Sequence, residues 1–380
     1  MRTIAIDIGT TRVKLGIIED GKIIFKKFFK FPVIEIDRKK EVKEEVLWRK
    51  MKNTLKEIFE FAKEENIEIG NIGITSQAQT FITIDKDYNF LTNFILWNDR
   101  RAEEEVEILN KEFPKFYSFS GMAQFIPELM VCKVFYLKRN FPEIFKNIYK
   151  FLLINEWLIF KLTGDFYGDD VNFGMTGFYD IKIKRFNENL LGFLNLKEEN
   201  FCKIYPAGKN YSFLKDEICE EFGIKNKIKI YSCGNDQTTS AIGSGIDKNR
   251  CFINLGTAFV FYIILDEIPE KIEKTQICGI FPFGGYFLLS SDGDFGNYVK
   301  RIKDLRKDRR VYEYFKRTFE IMKRYFKGDK FLVSGGYGKR FLNFIEENFR
   351  LKVIYSGENT GFKGIEKIIK GGQNGILGRC

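Results

Sequence analysis

Short apolar runs and helical stripes of apolar residues alternate along most of the chain, and this alternation is typical of an α/β fold. An apolar run at residues 4–6 and a second one from Val13 flank a Gly-Thr-Thr turn, which predicts two strands joined as a hairpin. Residues 22–29 predict a third strand. Residues 41–65 carry apolar side chains at spacings of three and four, which predicts an amphipathic helix.

The same alternation continues through the rest of the sequence. We expect strands at residues 72–75, 227–232, 331–334 and 352–355, and helices at residues 101–113, 128–140, 148–162, 339–349 and 362–370. Residues 275–290 should contain further strands, and residues 294–327 should form a long or broken helix. The apolar stripe of that last segment predicts core packing.

Residues 251–263 repeat the pattern of the opening hairpin, with an apolar strand, a Leu-Gly-Thr turn and a second strand. Two such hairpins, about 250 residues apart, predict a duplicated domain that holds one nucleotide between its halves. The segment before the second hairpin marks the boundary. We therefore expect a first domain at residues 1–246 and a second domain at residues 247–380.

The turn of the first hairpin has the chemistry of a phosphate site. Gly9 lets the backbone approach an anion closely, and the hydroxyl groups of Thr10 and Thr11 add donors. Asp7, at the end of the first strand, is placed to hold the Mg²⁺ ion that accompanies a nucleotide phosphate. An ordinary surface hairpin is the alternative interpretation.

Charge and composition narrow the possible chemistry. The 380 residues include no histidine, so any general base must be a carboxylate, a lysine, a tyrosine or a cysteine. The net charge is +10, but the basic residues are spread along the chain among acidic ones. This distribution favours attraction of anionic nucleotides and phosphorylated products over nucleic-acid binding.

The cysteines and the lengths of the apolar runs indicate the cellular compartment of the protein. The 7 cysteines contain no C-x-x-C pair, so we expect neither a zinc site nor a disulfide framework. No apolar run approaches the length of a membrane span, and the first residues lead directly into a strand without the form of a signal peptide. We expect a cytoplasmic protein that binds no membrane.

Four short motifs follow one another in a characteristic order. They are DIGTT at residues 7–11, GNDQ at 234–237, LGT at 255–257 and SGG at 334–336. In order and context they resemble the motifs of the FGGY carbohydrate kinases, which belong to the actin, Hsp70 and hexokinase class of ATPases.

The sequence segments between these motifs also resemble the family. The ILWND segment at residues 95–99 is similar to the LWND segment of xylulokinases, and KVFYLKRN at 133–140 resembles the family's K-x-x-W-L-x-x-N helix. LTGD at 162–165 resembles its LTGE turn. Glu358, Gly361 and Gly364 resemble its closing E-x-x-x-G-A-A helix.

The resemblance implies two ribonuclease-H-like α/β domains with a nucleotide and sugar cleft between them. It implies an ATP-dependent kinase for a small sugar, a ketose such as xylulose or ribulose or a related ketohexose or polyol, with ATP and Mg²⁺ as cofactors. Asp236 would be the catalytic base. A polar turn in which Asp236 only caps a helix is the alternative. A homodimer is also compatible with the family.

The resemblance also assigns the remaining roles. Asp7 would bind the metal. The phosphates would contact Gly9, Thr10, Thr11, Gly256 and Thr257, the adenosine would contact Gly335 and Gly336, and the sugar would contact Gln77, Gln79, Trp97, Asn98 and Asp99.

The chain departs from the family at three places. Xylulokinases have a Met-His pair and glycerol kinases an Arg-Glu pair where this chain has Ala78 and Gln79, so glycerol is disfavoured as the substrate. Tyr337 replaces the third glycine of the adenosine motif. A charged helix replaces the P-Y-L-x-G-E-R segment expected between residues 300 and 330. Two other functions stay open: a switch or filament ATPase like actin or Hsp70, and a non-catalytic regulator.

Overall fold

The structure, a computed structural model, describes residues 2–256, 258–292, 295–302 and 308–373. Up to residue 235 its strands are β1 (Arg2–Ile8), β2 (Arg12–Glu19), β3 (Lys22–Lys30), β4 (Ile34–Ile36), β5 (Lys39–Val42), β6 (Ile69–Ser76), β7 (Phe81–Ile84), β8 (Phe94–Ile95), β9 (Lys150–Leu153), β10 (Tyr167–Asp169), β11 (Tyr179–Asp180), β12 (Arg185–Phe186), β13 (Lys203–Tyr205), β14 (Tyr211–Phe213) and β15 (Lys229–Asn235).

The helices of the same part are α1 (Glu44–Glu64), α2 (Glu103–Glu112), α3 (Tyr117–Ser120), α4 (Met130–Asn140), α5 (Pro142–Lys146), α6 (Ile154–Thr163), α7 (Asp170–Phe173), α8 (Glu188–Leu194), α9 (Asp216–Phe222) and α10 (Asp236–Ser244), with a 3₁₀ turn at Glu198–Asn200. The later elements are β16 (Arg250–Leu255), β17 (Phe259–Leu265), β18 (Gln276–Ile280), β19 (Tyr286–Asp292), α11 (Phe295–Val299), α12 (Arg309–Met322), β20 (Lys330–Ser334), α13 (Gly338–Phe349), β21 (Lys352–Gly357) and α14 (Thr360–Gln373).

The first large sheet has the strand order β14-β15-β6-β1-β2-β3. Strands β1, β2 and β3 are antiparallel, whereas β1, β6 and β15 run parallel. The second large sheet has the order β18-β19-β17-β16-β20-β21, in which β18, β19, β17 and β16 are antiparallel neighbours and β20 and β21 run parallel to β16. Five strands of the first sheet, β3-β2-β1-β6-β15, and five of the second, β19-β17-β16-β20-β21, therefore share one topology, which confirms the duplication predicted from the two hairpins. The sixth strands differ, because β14 adds to the parallel edge of its sheet and β18 to the antiparallel edge of its own.

Helix α1 shows why the amphipathic prediction succeeds. Its apolar positions recur every three or four residues, so they lie on one face, and Leu47, Met51, Leu55 and Ile58 are fully buried there. The apolar stripe of α12 is buried in the same way, with Val311 and Phe315 inaccessible to solvent. Within the expected segment 294–327 the described residues form two separate helices, α11 and α12, and residues 294 and 303–307 lie outside the described residues.

The prediction of one helix over residues 148–162 is wrong in its first part. Residues 150–153 form strand β9, which pairs antiparallel with β7 in a smaller five-stranded sheet, and helix α6 begins only at Ile154. An apolar run of this length fits a buried strand and a buried helix equally well. Pairing with a strand about 70 residues earlier in the chain decides between them, and no local pattern carries that information.

Helices α10 and α14 cross with their backbones in contact. A Cβ atom placed on Gly243 would overlap the Thr360 carbonyl, and one placed on Gly364 would overlap the Thr239 carbonyl. Helix α14 also lies against the first sheet, where Phe362 and Ile365 occupy the space beside Gly16 and Gly73. The last described helix thus packs on the strands with which the chain begins.

Candidate functional site

Three neighbouring parallel strands end at one edge of the first sheet, and each delivers a polar residue there. Asp7 lies near the end of β1, Gln77 follows β6, and Asp236 follows β15. The register aligns these ends, because Ser76 pairs with Ile8 on one side and with Asn235 on the other. The N–H of Gln77 donates to the Ile8 carbonyl at 2.8 Å. Such an edge is where open α/β sheets hold ligands.

The turn of the first hairpin lies beside this cluster. Gly9 closes the turn through a bond from its N–H to the Arg12 carbonyl at 3.2 Å. The Thr10 hydroxyl accepts a hydrogen bond from the Trp97 indole at 3.0 Å, and Thr11 is exposed. The structure therefore brings the predicted phosphate turn and the predicted sugar-binding Trp97 into direct contact.

Lys14 belongs to the cluster, although we did not predict it. Its Nζ lies 3.0 Å from Asp7 Oδ2, and the charge of Asp7 raises the pKa of the Lys14 ammonium. Lys14 is the cross-strand partner of Asp7 in the hairpin, so both side chains leave the same face. Counting the register outward from the predicted turn would have found it.

Asp236 is the first residue of helix α10, and it does not cap the helix. That role belongs to Asn235, whose Oδ1 accepts from the N–H of Thr238 at 2.9 Å. Asp236 is half-buried as a residue, and the pKa of its carboxyl is raised to about 7, mainly by desolvation and next by the charge of Asp7. Bonding to the Gln237 N–H and the charge of Lys14 act in the opposite direction.

A buried carboxylate holds the turn that precedes Asp236. Gly234 has a φ of +85°, which favours glycine, and its N–H donates to Asp169 Oδ2 at 3.2 Å. The Ser232 hydroxyl donates to the same oxygen. Asp169 was not predicted, and 65 residues separate it from Gly234 without any sequence signal that links them.

The predicted sugar-binding residues divide into two groups. Gln77 is buried, and neither atom of its carboxamide has a hydrogen-bond partner among the described residues. The buried Oδ1 of Asn98 is likewise unpartnered there. Buried polar atoms rarely stay unpaired, so these two side chains are ready to bind a polar ligand.

Gln79 and Asp99 already have protein partners. Gln79 Oε1 accepts from the N–H of Met130 at 2.9 Å. Asp99 is fully buried; Oδ1 accepts from Arg101 Nε at 2.8 Å, and Oδ2 accepts from the N–H of Lys40 at 2.6 Å. Both residues lie next to the site, but these contacts are internal to the protein.

The second hairpin and the glycines after β20 carry the remaining residues predicted to contact the nucleotide. The N–H of Gly256 donates to the Ala258 carbonyl at 3.3 Å, and Thr257 lies outside the described residues. Gln237 Oε1, one residue after Asp236, accepts from Asn254 Nδ2 at 3.0 Å. This bond links the Asp236 turn directly to the strand that enters the second hairpin.

Gly335 and Gly336 differ in what surrounds them. Gly335 has a φ of +94°, and a Cβ atom there would lie 2.5 Å from the Leu255 carbonyl oxygen, so glycine is required by the backbone itself. Gly336 is exposed and faces open space. The ring of Tyr337 packs toward Phe259, with centroids 6.4 Å apart, and its N–H donates to Leu255.

Two sheets that share one five-strand topology are the architecture of a two-domain, actin-like ATPase fold. Solved structures agree. A ligand-bound xylulose kinase from Lactobacillus acidophilus superposes with a TM-score of 0.84 at 20% identity, over 99% of this chain and 90% of that one. The predicted fold class is thereby confirmed.

The chain belongs to the FGGY family of carbohydrate kinases. The family's N-terminal domain matches residues 2–243. A xylulose kinase from Escherichia coli (strain K12) is 24% identical over 274 residues, which are 71% of this chain and 56% of the relative. One from Staphylococcus xylosus is 25% identical over 322 residues, 79% of this chain and 66% of the relative.

The similarity covers only part of each relative. The chain spans little more than half to two thirds of the length of the two curated relatives. In the part that the structure describes, no helix combines the length and the apolar character needed to cross a bilayer.

Proposed function

We propose that this protein is an ATP-dependent kinase that transfers the γ-phosphoryl group of ATP to a hydroxyl group of a small sugar. One observation carries the proposal. Asp236, free of any capping role, has a carboxyl pKa of about 7 and lies at the strand edge that also presents the unpartnered Gln77. A base with a pKa near the working pH is suited to general-base catalysis.

In this proposal Asp236 takes the proton of the sugar hydroxyl. As the hydroxyl oxygen forms its bond to the γ-phosphorus, the bond from that phosphorus to the β–γ bridging oxygen breaks and ADP leaves. Phosphoryl transfer depends mainly on alignment and charge neutralisation, so a carboxylate suffices for the proton. Lys14, within hydrogen-bond distance of Asp7, is the nearby cation that can neutralise phosphate charge.

The site also fits Mg²⁺. The charge of Asp7 raises the pKa of Asp236, so the two carboxylates repel one another and a bound cation would relieve that repulsion. We propose Asp7 as the protein ligand, with the remaining ligands coming from phosphate and water, because Mg²⁺ retains much of its hydration. Bound Mg²⁺ supplies charge neutralisation on the phosphates.

The remaining roles follow the positions of the residues. Gly9, Thr10, Thr11, Gly256 and Thr257 are proposed for the phosphates, and Gly335 and Gly336 for the adenosine. Gln77, Trp97 and Asn98 are proposed to contact the sugar. Two of the relatives are xylulose kinases, which supports a ketopentose as the acceptor. The division into residues 1–246 and 247–380, the cytoplasmic location and the homodimer stay predictions.

The test is ADP release from ATP and Mg²⁺ with a panel of ketopentoses, ketohexoses, polyols and glycerol. We expect one acceptor to stimulate turnover far above the rate with water. Asp236→Asn should then lower turnover by about 10²- to 10⁴-fold, the usual contribution of a general base, while ATP binding persists.

Asp216→Asn is the matched control, since Asp216 is also the first residue of a helix but is exposed. It should leave turnover unchanged. Wild-type turnover in Asp236→Asn would refute the assignment of the base. Tight ATP binding without any active acceptor would favour a switch or regulatory protein.

A further inference from the structure

The side chain of Lys133 lies entirely inside the protein, beneath the loops of the candidate sugar site. It projects from helix α4 and has no exposed surface. Its Nζ donates to the carbonyl oxygens of Leu96 at 2.8 Å, of Trp97 at 3.4 Å and of Gln79 at 3.4 Å. An ammonium group has three N–H donors, so one N–H is available to each carbonyl.

These three carbonyls belong to two separate loops. One is the turn between β6 and β7, which carries Gln77 and Gln79, and the other follows β8 and carries Trp97 and Asn98. Lys133 is therefore bonded to the backbone of both loops that supply the proposed sugar contacts. A single side chain joins the two loops from below.

The first turn of α4 also bonds to the turn between β6 and β7. The N–H of Met130 donates to Gln79 Oε1 at 2.9 Å, and Gln79 has a φ of +64°, which is unfavourable for a residue other than glycine. A strained backbone of this kind persists only where its surroundings hold it. The side chain of Gln79 and the ammonium of Lys133 together provide that restraint.

The restraint extends to the phosphate turn through Trp97. The Trp97 N–H donates to the Thr80 hydroxyl at 3.0 Å, and its indole donates to the Thr10 hydroxyl at 3.0 Å. A shift of the backbone at Leu96 and Trp97 would move the indole away from Thr10. The loop after β8, which carries Trp97, and the phosphate turn are thus held in a fixed relative position.

We propose that Lys133 is a positioning residue that holds the two acceptor-binding loops in register with the phosphate turn, with Gln79 acting beside it rather than on the sugar. This inference rests on the proposed function for its kinetic consequences only. An enclosed ammonium is costly to bury, and burial lowers the pKa of Lys133 to about 7. If residue 133 only filled space in the core, an apolar side chain would stabilise the fold more than a buried ammonium does.

The test compares Lys133→Met with Lys150→Met. Lys150 is also almost fully buried and donates to two backbone carbonyls, those of Glu199 at 2.8 Å and Phe201 at 3.0 Å, away from both acceptor loops. Each substitution removes a buried ammonium from its carbonyl partners. Only the first removes contacts to the loops of the proposed sugar site.

The primary measurement is independent of activity. The indole N–H resonance of Trp97 is assigned by its loss in Trp97→Phe, and the indole of Trp157, which donates to Glu44 at 3.0 Å, is the internal reference. We expect Lys133→Met to shift the Trp97 resonance and speed its hydrogen exchange about 10-fold or more, as expected when a local structure opens readily. The Trp157 resonance should not move, and Lys150→Met should move neither.

The kinetic measurement can be made once an acceptor is known. Lys133→Met should lower kcat/KM for that acceptor by about 10- to 10²-fold, because small misplacements of reacting groups have effects of this size, whereas KM for ATP stays within about twofold. An unchanged Trp97 resonance in folded Lys133→Met would overturn the proposal. An equal shift in both lysine variants would overturn it too.

A second variant covers the case in which Lys133→Met does not fold. Gln79→Ala leaves the ammonium in place and frees the Met130 N–H, so a smaller shift of the same Trp97 resonance is expected. No shift in Gln79→Ala would then refute the restraint. Absence of any active acceptor would count against the kinase, but the Trp97 result would stand by itself.

Discussion

The carboxyl of Asp236 holds its proton to a higher pH in the folded chain than in the unfolded chain. Its carboxyl has an ordinary pKa of 3.8 and a folded pKa of about 7, because burial and the charge of Asp7 disfavour the ionised form. Between these two values the folded state binds more protons than the unfolded state. The contribution of Asp236 to stability therefore falls as pH rises through this window.

We accordingly expect Asp236→Asn to be more stable than the wild type at pH 8 by several degrees in Tm, with an advantage that shrinks toward pH 4. Asparagine does not titrate, so the variant lacks this source of instability. Thermal unfolding followed by circular dichroism from pH 4 to pH 8 checks the expectation. Asp7→Asn should reduce the pH-dependent difference, and a difference that is the same at every pH would contradict the argument.

At the same scale, sequence reasoning found the residues that local pattern marks and missed those that the fold brings in. Gln77 follows a predicted strand, and its carboxamide has no hydrogen-bond partner among the described residues; its contact with a sugar stays a prediction. Lys14 could have been found from the hairpin register. Asp169 bonds to Gly234, 65 residues away in the sequence, and Lys133 bonds to Leu96, 37 residues away. These contacts form only when the chain folds, so no local pattern indicates them.

Elements were predicted well wherever local pattern decides them. The first hairpin, helix α1 and strand β6 follow from spacing and turn chemistry, and all three are present. Strand β9 was missed because its pairing with β7 is tertiary. The hydrogen bond between the Gln79 side chain and helix α4 also depends on tertiary contacts, so no local pattern indicates it.

The crossing of α10 and α14 gives a prediction at the scale of elements. Gly243→Ala and Gly364→Ala should each lower the free energy of unfolding by about 1–3 kcal/mol or more, because the new methyl group meets a backbone carbonyl that has no room to yield. Urea denaturation measures the change.

Gly192→Ala is the control for that pair. Gly192 lies within helix α8, and a Cβ atom there would meet nothing within 4 Å. Alanine has the higher helix propensity, so this variant should gain about 0.5–1 kcal/mol. Equal stability of all three variants would contradict the close crossing.

For the whole molecule, binding of ATP should stabilise the folded chain, because the proposed contacts come from both sheets. At a ligand concentration about 100 times Kd the gain is about 2.7 kcal/mol. The part of the Tm rise that requires Mg²⁺ should be lost in Asp7→Asn. It should persist in Glu57→Gln, which removes only an exposed partner of Lys27.

Differential scanning fluorimetry with ATP, with and without MgCl₂, makes this comparison. Retention of the full Mg²⁺-dependent rise by Asp7→Asn would remove Asp7 from the metal site. The comparison does not depend on knowing the sugar.

The family and the duplication were evident from the whole sequence, although the match to the family's N-terminal domain stops at residue 243. Beyond that point the topology persists, since five strands of the second sheet repeat the arrangement of five strands of the first. Leu255 and Gly335 lie close to one another through backbone atoms, which requires glycine at position 335.

The packing of α14 on the first sheet sets the order in which the molecule can be completed on the ribosome. The N–H groups of Asp20 and Gly21 donate to the carboxylate of Glu366, across 346 and 345 residues. At about 5–20 residues per second, the opening hairpin waits roughly 20–70 s for this partner to be synthesised. Until α14 is synthesised, Gly16 and Gly73 lack the side chains of Phe362 and Ile365 that lie beside them in the folded protein.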